Sequence, residues 1–148
     1  MAAANFTTTI IVDNSAKEVF DAIVHPKNWW PGEINGNASK LNDEFTYRYK
    51  EFHYSKQRIV ELIPDKKVVW LVTESLFNYT ENISEWTGTK ISFEITEQNN
   101  RTQLRFSHIG LVPEIECFDG CSSSWSQLIK QSLFSLIATG KGKQLVLA

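Results

Sequence analysis

The chain has 148 residues, a formal net charge of −2, 42% hydrophobic and 22% charged residues, and a pI near 5.9. That balance lacks the basic footprint that binding to nucleic acid or an anionic lipid surface demands, and no apolar run is long enough to span a membrane. The length suits one domain, 1–148.

Five Trp, nine Phe and four Tyr are the unusual feature, since that much ring area either fills a core or lines a pocket. The start, Met1-Ala2-Ala3-Ala4-Asn5, has neither the basic nor the apolar region of a signal peptide, so a cytoplasmic chain is expected. Phe6 to Val12 is β-branched and aromatic, hence a strand. Ser15-Ala16-Lys17-Glu18 is a capping box opening a helix that turns Val19, Phe20, Ala22 and Ile23 inward and ends at His25, before Pro26. A second short helical segment runs to Trp29-Trp30 and closes at Pro31-Gly32.

Residues 32–43 are rich in Gly, Asn and Ser and read as a loop. From Glu44 the apolar pattern has period two, with Phe45, Tyr47 and Tyr49 on one face. A strand from Lys56 to Ile63 groups Arg58, Val60 and Leu62, Pro64-Asp65-Lys66 turns it, and a strand from Lys67 to Glu74 groups Val68, Trp70, Val72 and Glu74. Leu76 to Trp86 fits no period and reads as a long connection. Strands from Thr87 to Glu97 (Thr89, Ile91, Phe93 and Ile95 together) and from Arg101 to Ile109 (Leu104, Phe106 and His108 inward) follow.

The last element is a helix from Glu116 to Ala138. Phe118, Cys121, Trp125, Leu128, Ile129, Leu133, Leu136 and Ile137 recur at helical spacing, and Gly140 stops it. At 1.5 Å per residue it is about 30 Å long. Each strand is apolar on one face only, and this helix alone is long enough to cover that face. The expected fold is α+β: a curved antiparallel β-sheet wrapped around a long C-terminal helix, two short helices after the first strand, and a cavity between sheet and helix.

The two cysteines, Cys117 and Cys121, are four apart, a spacing that suits a metal pair or a redox pair; no further Cys/His pair completes a zinc site, and the favoured reading is two small buried apolar residues. No cofactor or metal motif is present. There is no Gly-x-Ser-x-Gly elbow, phosphate-binding glycine loop or Ser-His-Asp order, and Ser122-Ser123-Ser124 reads as small polar residues around Trp125.

Several stretches in order carry a resemblance: Val19-Phe20-Asp21-Ala22-Ile23, Trp29-Trp30-Pro31, Asp43-Glu44-Phe45, Val69-Trp70-Leu71-Val72 and Glu85-Trp86-Thr87-Gly88-Thr89. Phe106 to Leu111, Cys117 through Cys121 to Trp125, and Ser132-Leu133 through Ile137 to Thr139-Gly140-Lys141-Gly142 complete it. Together they cover nearly the whole chain. The sequence resembles the START-like (SRPBCC, helix-grip) superfamily, which includes birch-pollen-allergen relatives and polyketide cyclases. Within it, the likeness is to the branch named after the activator of the heat-shock protein 90 ATPase. The resemblance implies a cavity between sheet and helix that takes lipids, hormones or polyketides in some members and supports cyclisation or dehydration in others. Many relatives have Gly where this chain has Asn42, and Asn tolerates the same left-handed turn. In the eukaryotic activator such a domain accompanies a separate N-terminal domain bearing the chaperone-stimulating motif, which these residues do not contain.

Strand parity and the helix stripe nominate a ligand-binding set: Trp30, Tyr47, Arg58, Trp70, Glu74, Phe93, His108 and Trp125, with Trp29 or Trp30 at the opening and Tyr49 beside them. His108 and Glu74 are the weak catalytic candidates. His108 acts either as a general base or as a core histidine hydrogen-bonded to a carbonyl, and the second reading is favoured. Arg58 and Glu74 form a ligand clamp, an internal ion pair or a solvated pair. His25 and His53 read as exposed.

Three functions follow in order of preference. The first is binding of a small hydrophobic molecule without catalysis. The second is a cyclase or dehydratase using His108 and Glu74. The third is a protein-interaction module, a homodimer or chaperone partner, presenting Trp29, Trp30, Phe77 and Trp86. The first requires a cavity of several hundred Å³ and fails if Trp70, Trp125 and Phe93 fill the space.

Overall fold

Among the described residues seven strands pair in one antiparallel sheet, and in β3 to β7 apolar residues recur along one face. The structure, a computed structural model, describes residues 5–30, 32–49, 53–77, 86–112 and 118–142. The strands are β1 (Phe6–Val12), β2 (Glu33–Gly36), β3 (Glu44–Tyr49), β4 (His53–Ile63), β5 (Lys67–Phe77), β6 (Lys90–Gln98) and β7 (Arg101–Ile109). Their order across the sheet is β1-β7-β6-β5-β4-β3-β2. Only β1 is out of sequence order. It pairs with β7, Phe6 opposite His108 and Val12 opposite Thr102, and so brings the helix that follows it back across the sheet.

That helix, α1 (Ala16–Ile23), starts at the expected capping box. The Glu18 amide donates to Ser15 Oγ and the Ser15 amide to Glu18 Oε1, each at 3.2 Å, an arrangement worth about 1 kcal/mol. Val24 caps the far end, and a short 3₁₀ turn, Pro26–Asn28, delivers Trp29 and Trp30 to the interior. Residues 33–36, expected in a loop, form the edge strand β2, whose Ile34 pairs with Tyr47. The sequence gives little warning of this, because Glu-Ile-Asn-Gly has one apolar residue and two poor strand formers. Asn42 takes φ of 72°, the left-handed turn expected of it.

The C-terminal helix runs through α2 (Phe118–Gln127), a π-helical segment (Leu128–Leu133) and α3 (Phe134–Thr139). Its buried residues Leu128, Ile129, Ser132 and Leu133 come in adjacent pairs four apart, and the wider π turn lies where they meet the core. Ser132 Oγ donates to the Trp29 carbonyl at 2.6 Å and ties the helix to the 3₁₀ turn. Gly140, at φ of 85°, ends it in the left-handed conformation. Gly142 then passes so close to Asn28 that a Cβ would collide with the Asn28 carbonyl oxygen. The expected start at Glu116, with Cys117, lies outside the described residues. Cys121 is buried in the core as expected, and it is disulfide-bonded, in line with the redox reading that the cysteine spacing allowed.

Two register shifts in the β4–β5 pair decide which side chains face the helix. Lys56 pairs with Glu74 but Gln57 with Val72, so β5 carries an extra residue at Thr73. Ile59 pairs with Trp70 but Glu61 with Val69, so β4 carries an extra residue at Val60. Each bulge reverses the alternation beyond it. The concave face consequently receives Ser55, Gln57, Ile59, Val72 and Ser75, all buried, while Arg58 and Glu74 lie exposed on the outer face.

Candidate functional site

The interior between sheet and helix is a continuous packing of rings. Trp30, Trp70, Phe93, Phe106 and Trp125 form a closed circuit with centroid separations of 6.2, 4.8, 5.3, 4.7 and 5.2 Å. Trp29 stacks on Trp70 at 6.3 Å, and Tyr47 stacks on Trp30 at 3.8 Å. Six of the nominated residues (Trp30, Tyr47, Trp70, Phe93, His108 and Trp125) are therefore brought together and buried. They meet as core, ring against ring. Trp70, Trp125 and Phe93, the three rings whose packing counts against a wide central cavity, are fully buried against neighbouring rings. Each such ring removes about 150–250 Å² from water.

Arg58 and Glu74 do not join them. Arg58 Nη2 donates to Asn42 Oδ1 at 3.2 Å on the exposed face, and Glu74 sits opposite Lys56 there. Their inward placement was expected from alternation, which the bulges at Val60 and Thr73 reverse. The converging His108–Glu74 acid–base pair thus does not form.

His108 is fully buried, and its hydrogen bonds fix its tautomer. Trp125 Nε1, which can only donate, lies 3.0 Å from Nδ1, so Nδ1 accepts. Thr89 Oγ1 donates to the Trp86 carbonyl at 2.6 Å, which leaves it to accept from Nε2–H at 2.8 Å. The imidazole is neutral with both nitrogens engaged. Burial pushes it from 6.5 down to about 3, and the nearby His53 ring adds to the shift. A general base needs a free lone pair and a pKa near the working pH, and His108 has neither. His108 is a core residue, but its Nε2–H goes to the Thr89 hydroxyl and not to the backbone carbonyl expected from the sequence.

Around this ring the interior becomes polar. Gln57 Nε2 donates to Ser55 Oγ at 2.5 Å, His53 Nε2 lies 3.3 Å from the same oxygen, and Ser75 and Thr87 share a hydrogen bond of 3.0 Å. His53, expected in an exposed turn, opens β4 and is half-buried between Tyr47 and Trp86, at ring separations of 5.3 and 4.6 Å. Loss of hydration pushes its pKa down as well. His25 is exposed as expected, its Nδ1 2.7 Å from the Asp21 carbonyl. Sequence reasoning missed Ser55, Gln57, Ser75 and Thr89. The first three follow from the reversed parity, and no residue in β4 or β5 marks the bulges.

Open space lies at one edge of the ring cluster. A cleft of about 220 Å³ runs between the end of α1, the 3₁₀ turn and the β2–β3 connection. Val24, Pro26, Ile34, Ala38 and Phe45 form its apolar floor, and Lys27, Asn37 and Ser39 are among its polar lining. Phe45 also meets Trp70 edge-on at 5.0 Å, so the floor is continuous with the interior. Among the described residues no three His, Cys, Asp or Glu side chains gather as a metal site, and no helix is long and apolar enough to cross a membrane.

Comparison with known proteins agrees with this architecture. The family model described as Activator of Hsp90 ATPase homolog 1-like protein matches residues 13–138. The chain is similar to the protein in the solution structure of the Aha1 dimer from Colwellia psychrerythraea, at 26% identity and a TM-score of 0.74 over 94% of this chain and 99% of that one. It shares its fold with CalU16 from Micromonospora echinospora, at 12% identity and a TM-score of 0.63 over 90% of this chain and 74% of that one. It shares it also with protein MLL2253 from Mesorhizobium loti, at 13% identity and a TM-score of 0.69 over 88% and 95%. None of the curated proteins searched matches it. With the model matched from Asp13 to Ala138 on a sheet curled about a C-terminal helix, the chain belongs to the Activator of Hsp90 ATPase homolog 1-like protein family, a branch of the START-like superfamily.

Proposed function

We propose that the protein is a binding module without chemistry of its own, and that it takes a small apolar molecule in the cleft beside the ring cluster. The observation that carries this reading is the cleft itself, with its floor of Val24, Pro26, Ile34, Ala38 and Phe45 and its few polar groups. Apolar walls with a small number of polar groups are the usual make-up of small-molecule sites. At about 220 Å³ it falls below the usual range of roughly 300–1,000 Å³, so the ligand is smaller than a sterol or a long polyketide. Catalysis is disfavoured because His108 has both nitrogens engaged and Glu74 lies on the opposite face.

The test is native mass spectrometry on protein purified gently from its own host, followed by thermal shift with the molecule found. At a hundred times its dissociation constant a ligand adds about 2.7 kcal/mol. Ser39→Trp, at an exposed position lining the cleft, abolishes that gain if the cleft is the seat and leaves it intact if it is not.

A second reading, homodimerisation, is supported by the similar Colwellia protein, which is described as a dimer. Light scattering across a concentration series decides it, a constant monomer mass being the adverse result. Partnership with a heat-shock protein 90, which the family's name raises, has less behind it. The exposed patch it called for is missing its tryptophans, since Trp29, Trp30 and Trp86 are buried; the Phe77 side chain lies outside the described residues.

A further inference from the structure

We infer that the interior end around Gln57, Ser55 and Ser75 is a second seat, for an uncharged hydroxyl group carried on a small apolar molecule. Gln57 is fully buried. Its Nε2 is used on Ser55, but its Oε1 has no hydrogen-bond partner among the described residues. Trp70 Nε1, equally buried, has none either. A buried polar atom without a partner costs about 1–3 kcal/mol, and most such atoms are satisfied. At the Ser55–Ser75 end the unused atom is the Gln57 acceptor, while Trp70 Nε1 belongs to a ring that packs in the cluster. A hydroxyl can donate to that acceptor while its own oxygen accepts from a neighbouring serine hydroxyl.

Side-chain size points to the same end. Elsewhere the concave face is filled by rings and branched aliphatic side chains, but Ser55 and Ser75 lie directly opposite one another on β4 and β5, with Tyr47 opposite Ser55 on β3. Two neighbouring strands therefore present hydroxymethyl groups at the position next to Gln57, whose own cross-strand partners are Phe45 and Val72. Tyr49 and His53, half-buried at the adjacent strand ends, mark where this part of the interior nears solvent.

Charge restricts the ligand further. Among the described residues no Asp, Glu, Lys or Arg is buried, and the two interior histidines face a carboxylate or ammonium only as neutral rings. An ionised head brought here meets no counter-charge and keeps its full desolvation penalty. A fatty acid anion or an amine is excluded, whereas an alcohol or phenol is not. This inference rests on the binding reading only in holding that small molecules enter the fold, and it concerns a different place from the cleft.

Titrations of ¹⁵N-labelled protein with benzyl alcohol, benzoate and benzylammonium at pH 7, three probes with one ring and different heads, test it. The expected result is that benzyl alcohol moves the Gln57 side-chain amide signals while the two ions leave them in place. Gln57→Leu, close in volume, is expected to weaken benzyl alcohol binding by about fivefold, the loss of one hydrogen bond, with the fold retained. Benzoate moving Gln57 as strongly as the alcohol overturns the inference, and so does unchanged affinity in Gln57→Leu. If the alcohol moves only Ile34 and Ala38, the seat is refuted and the cleft reading stands. If no probe moves any signal, both fall.

Discussion

Acid should destabilise this fold through one identifiable ring. His108 is neutral in the folded chain, with a pKa pushed from 6.5 to about 3 chiefly by burial, while in the unfolded chain it titrates near 6.5. Below pH 6.5 the unfolded state therefore binds a proton that the native state refuses. The contribution is complete above pH 6.5 and is lost as pH falls towards 3, at about 1.4 kcal/mol per pH unit. At pH 5 the loss from His108 is about 2 kcal/mol, or roughly 4–8 °C in melting temperature for a domain of this size. His53 acts in the same direction.

His108→Gln separates the two. Glutamine accepts from Trp125 Nε1–H and donates to Thr89 without titrating. The variant should be less stable at pH 7.5 because its shape differs, but the gap between wild type and variant should narrow by about 2 kcal/mol at pH 5. Urea midpoints at the two pH values measure this, and carboxylate effects cancel in the difference. A gap independent of pH would show that His108 is protonated in the fold or reached by water, and the tautomer assignment would fall with it.

Four further outcomes are expected. Trp125→Phe keeps most of the ring contacts but leaves His108 Nδ1 as a buried acceptor without its donor at 3.0 Å, so chemical denaturation should show a loss of about 1–3 kcal/mol. Gly142→Ala drives a Cβ into the Asn28 carbonyl oxygen and should cost about 1–3 kcal/mol by the same assay; a neutral result would mean that the segment after the helix does not dock on the 3₁₀ turn. Glu74→Gln and Arg58→Ala, both on the outer face, should change stability by no more than about 0.5 kcal/mol and leave any ligand response untouched, whereas a lost response would return them to the interior. Intact mass should rise by the mass of two hydrogens when the unreduced protein is treated with a thiol, because Cys121 is disulfide-bonded; no change in mass would restore the free thiol. Disulfides are rare in the cytosol, so that result also bears on the compartment expected from the sequence.

Much of this fold was legible because local signals agreed with one another. The capping box at Ser15, the period-two strands after Glu44, the apolar stripe from Phe118 to Ile137 and the stop at Gly140 each have a local physical cause, and each is present. β2 was missed because its pairing with β3, not its composition, makes it a strand. The site was legible only in part. Trp70, Phe93, His108 and Trp125 were placed inward correctly, since the β5–β6 and β6–β7 pairs carry no register shift and Trp125 follows the helical spacing. Arg58 and Glu74 were placed on the wrong face by counting in twos across Val60 and Thr73. A bulge is a property of two strands together, and neither strand alone announces it. The same shifts hid Gln57 and Ser75. Whether rings fill a cavity or line one is likewise a matter of three-dimensional packing, which composition does not carry.

Binding beside a closed ring cluster, not within it, is the central claim. Its most direct measurement is a methyl and indole NMR titration with toluene, a probe small enough for the cleft and without a polar head. The account predicts that Val24, Ile34 and Ala38 methyl signals move together and saturate, while the Trp70 and Trp125 indole signals hold still. Movement of those two indoles with the cleft methyls silent would contradict it, and would mean that the centre of the fold opens to admit the ligand.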